Sequence, residues 1–287
     1  MPLNLRILRK KPGRNAGAGS SFDFGDLHCR RAPGPQNLVD VFAGGWTTGF
    51  PPEFGVTAGP VNFFDFDKDP RVGWADGVLK GGLRGARVLE LGPFEAYNTW
   101  QLEKLGAEVT SVESNKISFL KCLLVKEITG LKAAFLHGDG LAYLDACLAE
   151  GRRFDIVWAS GILYHQTEPL RFLSLVAQAA PKIFIHTHYY EETLVPAYPS
   201  VARWFDQGKN ELRVFDGFKA VHRYRSYRGT NTGPAYTGGP DDHSFWLAKE
   251  DIFRFLNRAG FSRITIEVDH PHHPHGPGMC FLAERPD

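Results

Sequence analysis

From residue 87 onwards, short apolar runs alternate with stretches in which apolar residues recur at helical spacing. The run RVLELG, residues 87–92, predicts a buried strand, and the apolar positions of residues 97–106 predict the helix after it. The same alternation continues through four more predicted strands, at 107–114, 133–139, 154–161 and 182–190. Such regular alternation implies βαβ crossovers and a mostly parallel sheet, which is an α/β fold.

The carboxyl-terminal part of the chain has a different pattern. Residues 247–261 place their large apolar side chains on one face of an amphipathic helix. Two strands are predicted after it, at 262–269 and 278–285, joined by the histidine-rich loop HPHHPHGP. We therefore expect the chain to close with a helix and an antiparallel hairpin.

Three segments do not follow the alternation. Residues 1–20 are basic and rich in Gly and Ala, so we expect a flexible tail. Residues 21–82 carry many aromatic side chains with little periodicity, and we expect an ordered cap on the core. Residues 191–244 are a long insertion rich in Gly, Pro, Arg and Tyr, which is typical of a lid in a compact fold. Residues 83–287 then form the main domain, with the lid inserted in it.

Length and composition exclude several classes of protein. The chain has 287 residues, 43% hydrophobic and 23% charged, which is typical of globular proteins. No apolar run approaches the ~18 residues of a membrane span, and the start has no signal-peptide core, so we expect a cytoplasmic protein. The four cysteines show no paired spacing, which argues against a structural zinc site. The net charge of +1 gives no strong field, so we expect nucleic acid not to be a partner.

The turn after the first predicted strand carries the first candidate chemistry. ELGPFEA, residues 90–96, has Gly92 but places Phe94 and Ala96 where a dinucleotide-binding turn needs glycine. Glu113 follows the second strand, where nucleotide-binding folds place a carboxylate for ribose hydroxyls. Asp139 ends the third strand at the equivalent edge, where a side-chain acceptor can receive an adenine amino hydrogen.

Together these features resemble the class I S-adenosylmethionine-dependent methyltransferases. VLELGPFEA is similar to their first motif, FDIVWASGILYHQTEPLRFL to their fourth-strand motif, and the terminal helix and hairpin to their closing elements. The resemblance implies a Rossmann-like, seven-stranded, mostly parallel sheet with helices on both faces and an antiparallel carboxyl-terminal hairpin, to which the predicted cap and lid are added.

The resemblance also implies S-adenosyl-L-methionine as the cofactor. Its sulfonium is positively charged and it lacks a pyrophosphate, so acidic residues in the turn suit it. The residues implied to bind it are Glu90, Gly92, Pro93, Phe94, Glu95, Ala96, Glu113, Ser114, Asp139, Gly140, Ser160, Gly161 and Tyr164.

Methyl transfer to oxygen or nitrogen requires alignment of the acceptor and removal of a proton. His165, just beyond the fourth predicted strand, is the candidate base, and Tyr189 and Tyr190 at the end of the fifth are further catalytic candidates. A histidine-rich metal site is an alternative, with His186, His188 and His272 as its candidate ligands. Histidine runs in Pro-rich surface loops are common, so we expect no metal.

The sequence therefore predicts transfer of a methyl group to an oxygen or nitrogen of a small-molecule acceptor. An enclosing lid suits a small acceptor better than a folded polymer. The first alternative is a tRNA-modifying enzyme, because GILYH is also similar to enzymes that modify the wobble uridine of tRNA. The others are an NAD(P)-dependent oxidoreductase and a non-catalytic protein that keeps the cofactor fold. The sequence leaves the oligomeric state open.

Overall fold

The computed structural model describes residues 27–58, 64–66, 68–230 and 238–286, so the predicted tail at 1–20 lies outside the described residues. The strands are β1 (Thr48–Gly49), β2 (Phe64–Asp65), β3 (Arg87–Leu91), β4 (Glu108–Glu113), β5 (Ala134–His137), β6 (Ile156–Ser160), β7 (Lys182–His188), β8 (Glu211–Phe215), β9 (Phe218–Ser226), β10 (His243–Trp246), β11 (Arg263–His270) and β12 (Gly278–Glu284). The α-helices are α1 (Pro35–Asp40), α2 (Pro70–Val78), α3 (Tyr97–Lys104), α4 (Lys116–Thr129), α5 (Gly140–Ala149), α6 (Pro169–Ala179), α7 (Leu194–Ala197), α8 (Pro199–Ala202) and α9 (Lys249–Arg258). Short 3-10 helices lie at Pro52–Phe54, Leu163–His165 and Gln207–Lys209.

Seven strands form the central sheet, in the order β11-β12-β7-β6-β3-β4-β5. Strands β3 to β7 are parallel, and Val88 of β3 lies opposite both Val109 of β4 and Ile156 of β6. Strand β12 is antiparallel to β7 and to β11. This arrangement confirms the predicted fold class. The strand order reverses between β3 and β6, and open α/β sheets bind ligands in the crevice at such a point.

The two faces of the sheet bury different side chains, because successive residues of a strand point in opposite directions. Leu89 and Leu91 of β3 belong to a core that includes residues of α5, α6 and α9. Val88 points to the other face and packs in a second core with Trp158 and Phe184, whose rings stack with centroids 3.5 Å apart. Helices therefore cover both faces.

Capping residues place the strand-to-helix turns at the carboxyl edge of the sheet. Asn115 caps the start of helix α4, where its side chain accepts the N–H groups of Ile117 and Ser118, and Gly130, with φ 74°, caps its end. Asp139 caps the start of helix α5, where its Oδ1 accepts the N–H of Ala142 at 2.8 Å. These caps fix the turns after β4 and β5, which both reach the candidate site.

The described part of the amino-terminal segment packs as an aromatic cap on α3 and α4. Phe42, Trp46 and Phe66 are buried in one cluster with Trp100 of α3 and Val125 of α4. A buried ion pair joins the Nζ of Lys121 to Glu95 at 2.6 Å, and the same Glu95 accepts the N–H of Thr48 at 2.8 Å. Apolar packing and this ion pair together hold the cap.

The insertion after β7 contains its own antiparallel sheet, in the order β10-β9-β8. The N–H of Phe245 in β10 donates to the carbonyl of Gln166 at 2.9 Å, which ties this sheet to the turn after β6. A Cβ on Gly239 would lie 2.7 Å from the carbonyl oxygen of His165, so the closing segment of the insertion passes directly against that residue. The insertion therefore forms one wall beside the carboxyl edge of the main sheet. In the part of the chain that the structure describes, every helix is too short or too polar to cross a bilayer.

Candidate functional site

A cavity of about 290 Å³ lies at the carboxyl ends of β3, β4, β6 and β7 and is lined in part by Gly238–Asp241 of the insertion. Its volume is near the lower end of the roughly 300–1,000 Å³ found for small-molecule sites. The predicted residues that line it are Glu90, Gly92, Pro93, Phe94, Glu113, Ser114, Asp139, Gly140, Ser160, Gly161, Tyr164, His165 and His186. Residues far apart in the sequence therefore converge on one cavity.

The turn after β3 keeps a glycine-like backbone even where the sequence departs from glycine. Gly92 has φ 67°, and a Cβ there would lie 2.2 Å from the Cδ1 of Ile162. Phe94 and Ala96 also have positive φ values, of 59° and 61°. Such a conformation costs a residue with a Cβ roughly 1 kcal/mol or more. The turn therefore has the shape of a glycine-rich turn, with added backbone strain.

Glu113 connects the end of β4 to this turn. One carboxylate oxygen accepts the N–H of Phe94 at 3.1 Å and the other accepts that of Asn115 at 2.8 Å. Burial raises the pKa of Glu113, although the backbone N–H groups oppose that shift. A carboxylate has about four acceptor positions, so both oxygens can still accept ligand hydroxyls. Asp139 lines the cavity from the neighbouring turn.

Glu90 is a buried acid in the lining of the cavity. Its Oε2 accepts the hydroxyls of Thr99 at 2.5 Å and Ser111 at 2.7 Å. Burial raises its pKa to about 7, with a smaller contribution from the charge of Glu113. Glu90 therefore changes charge in the neutral range, and a nearby positive charge would favour its ionised form.

Arg71, at the start of α2, is a cavity residue that the sequence reasoning missed. Its guanidinium pairs with Asp69, and its Nη2 also donates to the Tyr97 hydroxyl at 3.2 Å. Its Nη1 donates to the Oγ of Ser160 at 2.9 Å and contacts the Nδ1 of His186 at 2.8 Å. The guanidinium is thus fixed in place by contacts on all three nitrogens.

These contacts determine what the wall of the cavity offers to a ligand. A guanidinium has no acceptor, so the Nδ1 of His186 accepts and its proton lies on Nε2. Burial, and next the charge of Arg71, lower the pKa of His186 to about 3, which keeps it neutral. Ser160 accepts from Arg71 and therefore has its own hydroxyl proton to donate elsewhere. This wall presents hydrogen-bond donors, which suit an acceptor group such as a carboxylate.

His165 lines the cavity in the turn after β6. Its Nδ1 contacts the Tyr227 hydroxyl at 2.5 Å, and Tyr227 is a second residue that the sequence reasoning missed. Burial, and next the charge of Arg225, lower the pKa of His165 to about 3. The imidazole is therefore neutral near pH 7. Tyr164 packs beside it, with ring centroids 4.1 Å apart, and forms another part of the wall.

The structure corrects the expectation for two residues of the β3 turn. Glu95 and Ala96 are fully buried, and neither lines the cavity. Glu95 points to Lys121 and the cap because the left-handed residues on either side of it, Phe94 and Ala96, turn its side chain away from the crevice. Ala96 packs in the aromatic cluster of the cap.

The two tyrosines predicted to be catalytic also lie outside the cavity lining. The hydroxyl of Tyr189 donates to Asp269 at 2.8 Å, because the hairpin strand β11 covers that side of the chain. Tyr190 is buried against Trp246 and Phe205 in a separate cluster. Neither tyrosine is therefore placed for contact with a ligand in the cavity.

The candidate metal ligands do not converge. His186 faces Arg71, whereas His188 stacks on Trp246 and its Nδ1 donates to the carbonyl of Gly276 at 2.9 Å. His272 contacts the Tyr198 hydroxyl at 2.8 Å. Among the residues that the structure describes, no group of three or more His, Cys, Asp or Glu side chains could hold a metal ion.

Comparison with solved structures identifies the fold. The chain matches the N-terminal domain of EvdMO1, solved with S-adenosylhomocysteine (SAH) bound, with a TM-score of 0.62 and 22% identity, over 88% of this chain and 94% of that domain. The same domain, in the presence of SAH and D-fucose, matches equally well. The resemblance inferred from the sequence is confirmed for the fold, which is that of the class I S-adenosylmethionine-dependent methyltransferases. No protein-family model matches the chain.

The curated relatives carry one name. The chain is 25% identical over 227 residues to the tRNA U34 carboxymethyltransferase of Methylococcus capsulatus, covering 71% of this chain and 63% of that protein. It is 27% identical over 168 residues to the enzyme of the same name from Psychrobacter cryohalolentis, covering 47% of this chain and 46% of that protein. The chain thus spans about half to two thirds of the length of these relatives.

The relatives overturn the expectation that nucleic acid is not a partner. Four curated relatives match, and all of them are named for the modification of a tRNA base. The expectation was wrong because it rested on the net charge of +1, which averages over the whole surface and says nothing about local clusters of charge.

Proposed function

We propose that the protein binds S-adenosylmethionine in this cavity and transfers its methyl group to a base of RNA. The observation that carries the proposal is the convergence of Glu113 and Asp139, from two different strand ends, on one cavity beside the tight turn at Gly92. Carboxylates at these points suit ribose hydroxyls and an adenine amino group. The fold, which is shared with a domain solved with SAH, supports the same cofactor.

The charges of the cavity favour this cofactor over a dinucleotide. Glu90, Glu113 and Asp139 all line the cavity, and Arg71 there is already paired with Asp69. An added pyrophosphate would meet three acidic groups at the place where dinucleotide folds use a glycine-rich helix start. A sulfonium is favoured there, and the donor wall of Ser160 and His186 suits the carboxylate of its amino-acid tail. Bound there, S-adenosylmethionine would supply an electrophilic methyl group.

His165 is the residue proposed to accept a proton from the acceptor atom. Its ring lines the cavity, and Tyr227 fixes its orientation through Nδ1. With a pKa lowered to about 3 by burial, His165 is uncharged throughout the neutral range, so its lone pair is available, but it is a weak base that can take the proton only as the acceptor atom gains the methyl group. The insertion, which reaches the cavity through Gly239 and Asp241, excludes water from one side.

An RNA base as acceptor is supported by the names of the curated relatives. The cavity wall next to the insertion includes polar groups, among them Gln166, Thr167 and Asp241, that can hydrogen-bond the edge of a base. An RNA base would have to leave its stack to reach these groups, as bases do in other enzymes that modify them.

The proposal is tested in two stages with purified, full-length protein. Isothermal titration calorimetry should detect binding of SAH and S-adenosylmethionine and no binding of NAD or NADP. Asp139→Asn should weaken SAH binding on the order of tenfold, because one acceptor is replaced by an amide. Asp145→Asn is the matched control on the same helix, since Asp145 is exposed and pairs with Arg171.

The second stage identifies the acceptor and the transferred group. Protein, S-adenosylmethionine and bulk tRNA are incubated, the RNA is digested to nucleosides, and mass spectrometry separates a methyl from a carboxymethyl product. We expect a methylated nucleoside that is absent after prior ribonuclease treatment. Binding of NAD in place of SAH would show that S-adenosylmethionine is not the cofactor. SAH binding without any RNA product would show that RNA is not the acceptor.

A further inference from the structure

A cluster of arginines surrounds one tryptophan on the insertion. Trp204 is half-buried just after α8. The guanidinium carbons of Arg203, Arg228 and Arg225 lie 4.9, 5.7 and 5.9 Å from the centre of its ring. Arg203 and Arg228 are exposed, and Arg225 is half-buried. We name these four residues the Trp204 patch.

The positive charge of this patch is not neutralised within the part of the chain that the structure describes. Two other arginines of the insertion form ion pairs, Arg213 with Glu168 at 2.9 Å and Arg223 with Glu192. None of the described ion pairs includes an arginine of the patch. The Nη1 of Arg225 is buried with no hydrogen-bond partner among the described residues. Three positive charges are thus held together around an aromatic ring.

The patch is connected to the cavity by direct contacts. The N–H of Ser226 donates to the carbonyl of Trp204 at 2.8 Å, which fixes the patch to the end of β9. The guanidinium of Arg225 lies over the ring of Tyr227 at 5.0 Å, and the hydroxyl of Tyr227 contacts His165. Three neighbouring residues, Arg225, Tyr227 and His165, therefore lead from Trp204 to the cavity wall.

We propose that the Trp204 patch binds the single-stranded part of an RNA loop, with phosphates on its arginines and a base stacked on Trp204. Positive groups beside an aromatic face are the combination that recognises single-stranded nucleic acid, since every base has a face to stack and every linkage has a charge. The patch positions the RNA so that a neighbouring base reaches the cavity. This inference rests on the proposed function, because it assigns the partner of the same site.

The test measures RNA binding and cofactor binding separately. The probe is a fluorescein-labelled RNA hairpin with an unpaired, uridine-containing loop, titrated with the full chain by fluorescence polarisation at several salt concentrations. The variants are the double substitution Arg203→Gln with Arg228→Gln, and the single substitution Trp204→Ala. Lys209→Gln with Lys219→Gln is the matched control, since it removes two exposed positive charges from the same insertion outside the patch.

The arginine double variant should lose about tenfold or more in RNA affinity, and the slope of log K against log salt should become shallower by about 1 to 2. Trp204→Ala should lose on the order of tenfold with little change in slope, because stacking on an aromatic ring releases no counterions. The lysine control should change affinity by less than about threefold. SAH binding measured by calorimetry should be the same in all of these proteins.

Equal losses of RNA affinity in the arginine and the lysine double variants would contradict the role proposed for the Trp204 patch. The patch inference also fails if the unaltered protein binds SAH but not the RNA, and in that case the proposed cofactor stands. Failure to bind SAH at all would instead overturn the proposed function. A fully paired RNA duplex serves as a second probe. If it binds more tightly than the hairpin with the unpaired loop, the stacking role of Trp204 is contradicted.

Discussion

At the scale of single residues, the burial of Glu90 opposes its charge. The carboxyl group has two hydroxyl donors, yet burial raises its pKa from an ordinary 4.5 to about 7. At pH values between 4.5 and about 7, the folded state binds this proton more tightly than the unfolded state does. The free energy of unfolding must therefore fall as the pH rises through this range, and the loss is complete above pH 7.

Glu90→Gln should remove this loss of stability. The amide oxygen can still accept from Thr99 and Ser111, and it has no charge to bury. Relative to the unaltered protein, we expect a gain of up to about 3 kcal/mol in the free energy of unfolding at about pH 8.5 and little difference at about pH 4. Urea unfolding at the two pH values, without cofactor, measures it. A gain of the same size at both pH values would show that the ionisation of Glu90 is not its cause.

The same residue should make cofactor preference depend on pH. The sulfonium of S-adenosylmethionine is positively charged and SAH is not, so ionisation of Glu90 should favour the former. We expect the ratio of the two affinities to rise several-fold between about pH 6 and about pH 8 in the unaltered protein, and to stay flat in Glu90→Gln. Calorimetric titrations at both pH values provide the ratio. His165, neutral over this whole range, should not contribute to the change.

Arg71→Lys should show how much the cavity depends on the planar guanidinium. Lysine keeps the charge but cannot bond Asp69, Tyr97, Ser160 and His186 together. We expect SAH affinity to fall on the order of tenfold, since the donor wall loses its fixed orientation. Arg153→Lys, at an exposed residue in the turn before β6, is the control and should bind SAH normally. Undiminished SAH affinity in Arg71→Lys would remove Arg71 from the site.

At the scale of elements, the cap contacts a buried charge pair of the main domain. Lys121 of α4 and Glu95 are each no more than 1% exposed in their side chains. Glu95 also accepts N–H groups of Thr47 and Thr48 from the cap. Removing Lys121 leaves the charge of Glu95 buried and unpaired, whereas removing both members leaves no charge but deprives the N–H groups of Thr47 and Thr48 of their acceptor.

Lys121→Met should therefore lower the free energy of unfolding by about 3–5 kcal/mol. The double variant Lys121→Met with Glu95→Leu should regain part of that loss, because no isolated charge remains, although the N–H groups of Thr47 and Thr48 lose their acceptor. Thermal and urea unfolding measure both. If the two charges are not coupled, the double variant should be at least as unstable as Lys121→Met. That result would contradict the role given to this ion pair.

Local patterns predicted the main sheet and most of the cavity because both depend on short-range signals. Each parallel strand is a short apolar run, and Glu113 and Asp139 follow such runs directly, so their place at the sheet edge could be inferred. The strands of the insertion were not predicted, since β8 is largely exposed and its pairing with β9 depends on a turn at Asp216 and Gly217 rather than on a buried run.

Long-range contacts explain the residues that the sequence did not predict. Arg71 lies 89 residues before Ser160 and 115 before His186, and no local pattern links them. The available signal was Asp69-Pro70 as a helix start, which placed Arg71 in the first turn but gave no direction for its side chain. Glu95 was assigned to the cofactor because its position in the motif is right, but the backbone on either side of it turns the side chain towards Lys121.

At the scale of the whole molecule, the net charge of +1 conceals a local cluster of positive charge. A protein with no overall field gains little long-range attraction to RNA, so binding must depend on the few charges that touch phosphates. If the three arginines of the Trp204 patch contact phosphates of single-stranded RNA, the slope of log K against log salt should be about −2, from roughly 0.7 per phosphate.

A salt titration of RNA binding to the unaltered protein measures that slope, and SAH binding should be nearly independent of salt over the same range. The basic residues at 1–20 are the competing source of charge, so removal of residues 1–20 is the decisive comparison. If the Trp204 patch carries the contact, the slope stays near −2 after the removal, as expected for about three phosphates. A slope that falls to near zero would assign RNA binding to residues 1–20, and a slope much steeper than −2 in the full chain would require phosphate contacts beyond the patch.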